Sequence, residues 1–488
     1  MSRPHTKPTR TAQLGVAALA AMAIVSSSNT ALAWDDHSIY ARPALVDLPE
    51  ISQFPLVEVE SLEVFLSAEE EGLAKLLSDN EAWALATVPA YPPLPQDLVL
   101  MAGGDRDTLR TRFLEALRMA PDIKLALYTK APLGAEPLAD GGLPWAEVTT
   151  LHDPGALGDA VLIPTPEGTR VAPLDVVTSA ADEPDYGFDL GIWTDNDTAW
   201  GPRYGMGDQP FGDPTKEYSS QAPMHMGLYH EAGIVYTLAS FLERTYPELR
   251  VHQFQTLARY AFETGHDYWG WRFTGWALHY VQDQAMPYHT QVLPGVSVAR
   301  MLWINTLSMV GISGPVDNAV RLVSNRHIGM EHYVREVFEA TLEQADHPFR
   351  AALADTTIDA HYGTFDDTYT RHTVALEAVS RAKGLDRALE RYVPELLVSD
   401  PAYIMDETEK DINVYERVLD ADATAVASLE PTFTELLGSF GAHSRVFVRT
   451  LRAGLPVPAP LPEPVPMEQI EELPLDAQPS DAAAGELL

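Results

Sequence analysis

Between residue 225 and about residue 452, apolar side chains recur at the three-to-four spacing of helices with hardly a break. This periodicity limits the fold more than any other feature. The runs 227–245, 251–264, 268–286, 318–344 and 420–452 are separated by Gly and Pro, and they predict a helical bundle or array, so the expected fold class is mainly α. The preceding 46–180 stretch is mixed. A Ser-x-x-Glu capping pattern opens 67–85, and Asp107 is suited to cap a helix over 107–119. Residues 159–180, split by Pro166-Glu167-Gly168, predict extended or hairpin structure instead. Residues 181–220 are rich in Gly, Asp, Pro and aromatics without a period, which predicts a long loop. The Pro-rich, acidic stretch 454–488 predicts a disordered tail.

The first 33 residues have the form of a secretory signal. Arg3, Lys7 and Arg10 precede a short apolar core, Leu14–Val25, and Ala31-Leu32-Ala33 forms a small-x-small cleavage site. Cleavage there would leave Trp34 at the amino terminus of an exported chain, secreted or periplasmic. No cysteine is present, so disulfides, thiolate metal sites and lipid attachment through Cys are excluded. The formal charge of −37 repels polyanions at long range and disfavours steered binding to nucleic acid.

The chemistry-bearing residues are concentrated in a few short stretches. In "GWALHYVQDQAMPYH" (275–289), His279 and Asp283 stand four apart on one helix face, and His289 follows Pro287 in the next turn. "RHIGMEHYVRE" (326–336) repeats the spacing with His327 and Glu331. "EPDYGFD" (183–189) offers Asp185 and Asp189 in turn-prone sequence, and "PMHMGLYHE" (223–231) offers His225 and His230. Such pairs can present nitrogen and oxygen to a cation. Each taken alone is equally compatible with a surface helix pair or ordinary turn chemistry.

Taken in order, Trp34, His37, the Asp185 loop, His-x-x-x-Asp…Pro-x-His and His-x-x-x-Glu resemble the bacterial zinc-dependent phospholipase C family, whose metal framework is shared by single-strand-specific zinc nucleases. The resemblance is strongest over 254–289, is weaker at 34–45 and 184–189, and returns at 327–336. It implies a helical zinc phosphodiesterase domain over 34–453, a phospholipase C/zinc-nuclease-like bundle carrying a mixed insertion at about 46–180. It also implies three zinc ions. The amine and carbonyl of Trp34, with His37, would hold one. Asp185, His225 and His279 would hold a second, with Asp283 bridging these two. His289, His327 and Glu331 would hold the third. The implied reaction is hydrolysis of the glycerol–phosphate bond of a phospholipid by a metal-activated water, with Asp185 as a possible base. The implied partner is a phospholipid headgroup or membrane surface, and a monomer is expected.

Several spacings depart from the family pattern. His37 lies close to Trp34, and 40 residues separate Asp185 from His225, so His230 competes for the same role. The apolar stretch 295–312 joins two expected ligands, which would bring Met301, Leu302, Trp303 and Ile304 near the mouth of the site. A single-strand-specific nuclease is the alternative enzyme; it would stack a base on aromatic side chains such as Trp193, Trp200 or Tyr204. A non-catalytic, zinc-stabilised helical binding protein is the alternative outside enzymes.

Overall fold

The computed structural model describes residues 36–139, 141–152, 160–405 and 412–460. The expected signal, Trp34 and most of the expected tail lie outside them. The described chain is mainly helical. Its principal helices are α1 (His37–Leu45), α2 (Leu62–Thr87), α3 (Pro173–Asp182), α4 (Glu217–His225), α5 (Gly233–Leu238) and α6 (Pro247–Thr264). They continue with α7 (Asp267–Asp283), α8 (Pro287–Thr290), α9 (Val298–Met309), α10 (Gly314–Ala340), α11 (Leu376–Tyr392) and α12 (Ala423–Arg452). No helix among the described residues is long and apolar enough to cross a membrane.

α7 is the axis of the molecule. All of it but the half-buried Asp267 is buried, which a helix tolerates only when neighbours cover all its faces. Trp269, Trp271 and Trp276 fill the space around it, and glycines admit its closest neighbours. A Cβ on Gly275 would stand 2.6 Å from both the Val177 carbonyl and the Ala180 Cβ, so only glycine lets α3 pack directly on α7. Arg272, also buried, forms a two-pronged pair with Glu183, its Nη2 2.8 Å from Oε1 and its Nε 3.0 Å from Oε2. That pair ties the end of α3 to α7 just before the Asp185 turn.

The amino-terminal half differs from expectation in several places. α2 begins at Leu62, five residues before the expected cap, because Ser61 accepts the Val64 N–H; Ser67 lies inside the helix. Asp105, rather than Asp107, accepts the N–H two residues on. The expected hairpin over 159–180 does not form. β3 (Leu162–Pro164) pairs antiparallel with the distant β2 (Tyr128–Lys130), and β4 (Arg170–Val171) pairs with β1 (Val57–Glu58). Residues 173–182 are helical despite Val176, Val177 and Thr178, since Pro173 starts the helix and packing on α7 outweighs β-branched propensity. Residues 227–245 contain only the short α5 and one 3-10 turn. Side chains from 54–125 join the same buried cluster as α6 and α7.

α11 and α12 are joined by a polar relay. The Tyr369 hydroxyl lies 3.0 Å from His443 Nδ1, and His443 Nε2 lies 2.8 Å from Glu377 Oε2. Burial opposes the charge on Glu377, but the bond from His443 and the nearby Arg381 overbalance it and lower its carboxyl to about 2. A depressed carboxylate stabilises the fold above its unfolded value of about 4.5, and that contribution is lost as pH falls towards 2. Glu377→Gln is therefore expected to flatten the acid side of the melting-temperature profile between these limits. An unchanged acid slope would count against the relay.

Candidate metal centre

Four helices and one loop converge at the carboxy-terminal end of α7. His37 is the first residue of α1, whose position is fixed by charge. Lys130 Nζ bridges Asp36 Oδ2 at 2.6 Å and Asp182 Oδ2 at 2.8 Å, and the Ser38 N–H donates to Asp182 Oδ1 at 2.8 Å. The loop after α3 carries Asp185 in a 3-10 turn closed by Gly187 at φ 111°, where a Cβ would also strike the Thr150 hydroxyl. His225 ends α4, His279 and Asp283 share one face of α7, His289 sits on the single turn of α8, and His327 and Glu331 share a face of α10. All eight side chains are buried.

Three groups of donors result: His37, His279 and Asp283; Asp185, His225 and His279; and His289, His327 and Glu331. The second group, completed by Asp283, has the clearest geometry. His225 Nδ1 is 3.0 Å from His279 Nε2, 3.0 Å from Asp283 Oδ2 and 3.7 Å from Asp185 Oδ1. His279 Nε2 is 3.4 Å from Asp283 Oδ2 and 3.6 Å from Asp185 Oδ1. Four ligands held tetrahedrally at about 2.0–2.1 Å stand about 3.3–3.4 Å apart. The five separations bracket that value, so this donor set fits a zinc-sized cation without rearrangement.

Asp283 links the groups. Its Oδ2 faces His225 and His279, while its Oδ1 lies 3.5 Å from His37 Nε2 and 3.6 Å from His289 Nδ1. Asp283 Oδ1, His37 Nε2 and His289 Nδ1 are buried and have no hydrogen-bond partner. Orphaned polar atoms are costly inside a protein, and cations held by the neighbouring donor groups would satisfy all three. In the third group, His327 Nε2 is 2.9 Å from Glu331 Oε1, and its ring meets that of His289 edge-on at 5.0 Å.

Surrounding groups set the imidazole tautomers. His279 Nδ1 donates to the Ala181 carbonyl at 2.8 Å, and His37 Nδ1 donates to Gln282 Oε1 at 2.8 Å, which turns both Nε2 atoms towards the site. His225 Nε2 is backed by Asp189 Oδ2 at 3.3 Å. Asp189 is held in turn by Arg250 and by the Tyr280 hydroxyl at 2.6 Å. Burial and the His37 charge hold His279 well below the ordinary imidazole range, and burial lowers His289 to about 3. Burial also opposes protonation of His225, but Asp189, Asp283 and Asp185 prevail and raise it to about 10. Burial drives the Asp185 carboxyl up to about 8 even though His225 and His37 oppose the shift. Acids and bases this close compete for few protons, a conflict that a cation resolves.

Eight of the nine metal ligands expected from the sequence come together here. Trp34, the ninth, lies outside the described residues. His225 reaches Asp185, whereas His230 Nε2 contacts the Arg371 carbonyl instead. Gln282, Arg250, Tyr280 and Lys130 support the site without having been anticipated. Gln282 alone left a trace, since it stands three residues from His279 on the ligand-bearing helix. Of the residues expected near the mouth, Met301 and Ile304 are buried and Trp303 is 62 % exposed. No family model, no curated protein and no solved structure matches this chain.

Proposed function

We propose that the chain is an exported, monomeric, zinc-dependent phosphodiesterase with a phospholipase C/zinc-nuclease-like bundle, a phospholipase C that hydrolyses the glycerol–phosphate bond of phospholipids. One observation carries the reading: three buried His/Asp/Glu groups meet at Asp283, and Asp185, His225, His289 and His327 line a cavity beside them. A purely structural metal site would have no need of such an opening. In this reading Trp34 and His37 hold one zinc, Asp185, His225 and His279 a second, and His289, His327 and Glu331 a third, with Asp283 shared between the first two. Zinc held there supplies Lewis-acid charge for a phosphoryl oxygen and an acidified water at neutral pH.

The chain's own groups orient the donors. Ala181, Gln282 and Asp189 keep the ring nitrogens aimed. Asp185 lines the cavity, and its carboxyl, raised by burial to about 8, can hold a proton near neutral pH, as the raised His225 does.

The nuclease reading is less well supported. Trp193 and Tyr204 are fully buried and donate to the Ser220 and Met119 carbonyls, and Trp200 donates to the Leu190 carbonyl. These rings order the 181–220 loop and are not free to stack a base.

The deciding assay gives the protein beginning at Trp34 phosphatidylcholine vesicles and single-stranded DNA, each with and without a zinc chelator. The expected result is chelator-sensitive release of phosphocholine that returns on adding zinc. Cleavage of DNA alone would assign the nuclease chemistry instead. Zinc uptake without either activity would favour the non-catalytic binding protein.

A further inference from the structure

The cavity beside the donor groups has an internal volume of about 150 Å³. Apart from the donors, most of its wall is aliphatic: Leu228 and Val235 from around α5, Leu293, Met301 from α9, and Val316 and Val320 from α10. Five of these belong to the apolar cluster formed by segments 211–242 and 292–319, which is separate from the main core, and Val320 packs against it. An apolar space of about 150 Å³ is enough to hold a short hydrocarbon segment. Tyr218, Ser219, Gln221 and Ser324 add polar groups to the lining, but apolar side chains outnumber them.

Asn305 is an exception within that wall. It is only 7 % exposed, its Nδ2 donates to the Met301 carbonyl at 2.8 Å, and its Oδ1 has no hydrogen-bond partner. An orphaned acceptor in an apolar wall calls for a ligand that brings a donor. We propose that this cavity binds one hydrocarbon chain of an amphiphile that carries a hydroxyl or amide N–H donor for Asn305. The placement of the amphiphile's polar head at the His/Asp/Glu groups rests on the reading of the site given above.

The test uses the full chain and a fluorescent apolar dye displaced by n-alkanols from hexanol to dodecanol and by their methyl ethers, with zinc and with chelator. Each added methylene is expected to tighten binding about threefold to fourfold until the cavity is full. Each ether should bind about fivefold more weakly than its alcohol. Asn305→Leu should erase that difference and keep the chain-length slope. Val235→Trp, or Met301→Phe should the first variant fail to fold, should weaken dodecanol by at least about tenfold through filling the space.

A flat response to chain length would overturn the proposal. So would full dodecanol affinity in a folded cavity-filling variant, or tighter binding of adenosine than of any alkanol. A slope without zinc uptake would support the cavity and count against the metal centre; zinc uptake without a slope would do the reverse.

Discussion

Asp283→Asn is expected to lower the proposed phosphodiester hydrolysis by at least about a thousandfold and to abolish zinc uptake by the neighbouring groups. The size follows from what the carboxylate does. It contributes one oxygen to the His225–His279–Asp185 group and turns the other towards His37 and His289. The substitution keeps the shape but removes the charge shared by cations. Loss of one preorganised electrostatic element in an active site costs about a hundredfold to a thousandfold, and here more than one group loses it. Metal content measured beside activity, with circular dichroism to confirm folding, checks the expectation. Wild-type zinc content and rate in this variant would rule out the bridging role. Zinc uptake by the wild-type protein should also release protons at neutral pH and weaken in acid, because His225 is held protonated until the metal displaces its proton.

Arg250→Met is the second large effect, and it reaches the site through an intermediary. Arg250 is fully buried and paired with Asp189, and it also donates to the Leu117 and Arg118 carbonyls. Burial alone would raise the Asp189 carboxyl, yet Arg250 holds it below the ordinary carboxylate range. Removing the guanidinium leaves an uncompensated charge inside the protein, expected to cost about 3–5 kcal/mol of stability. The same change frees Asp189 from its position behind His225, where loss of an orienting carboxylate costs about tenfold to a hundredfold in metal affinity or activity. Denaturant unfolding and zinc titration measure the two parts separately. Pairing Arg250→Met with Asp189→Leu should recover much of the stability while His225 remains unsupported and zinc affinity stays low. Recovery of both together would show that Asp189 has no orienting role.

The sequence revealed most where chemistry depends on local spacing. His279 with Asp283, and His327 with Glu331, are separated by one helical turn, so their shared faces follow from helix geometry alone. The choice between His225 and His230 depended instead on how α4 ends and how the next segment leaves it, which no local pattern encodes. The same limit explains the missed strands: β2 and β3 pair across more than 30 residues, and β1 and β4 across more than 100. In 173–182, β-branched residues suggested extended chain, but contact with Gly275 of α7 decided otherwise. Arg250 and Lys130 carry no motif at all. Their roles arise only when the fold buries them against carboxylates distant in sequence.

The apolar cluster that walls the cavity is packed separately from the core around α7. Substitutions in two separately packed regions tend to combine additively. The apolar positions of 211–242 and 292–319 can therefore drift in size and shape while His225 and the helix bearing His279 and Asp283 stay fixed. Such an arrangement gives selection two nearly independent dials, one for what is bound and one for what is done to it, and related chains with altered ligand preference would be expected to differ first in those two segments.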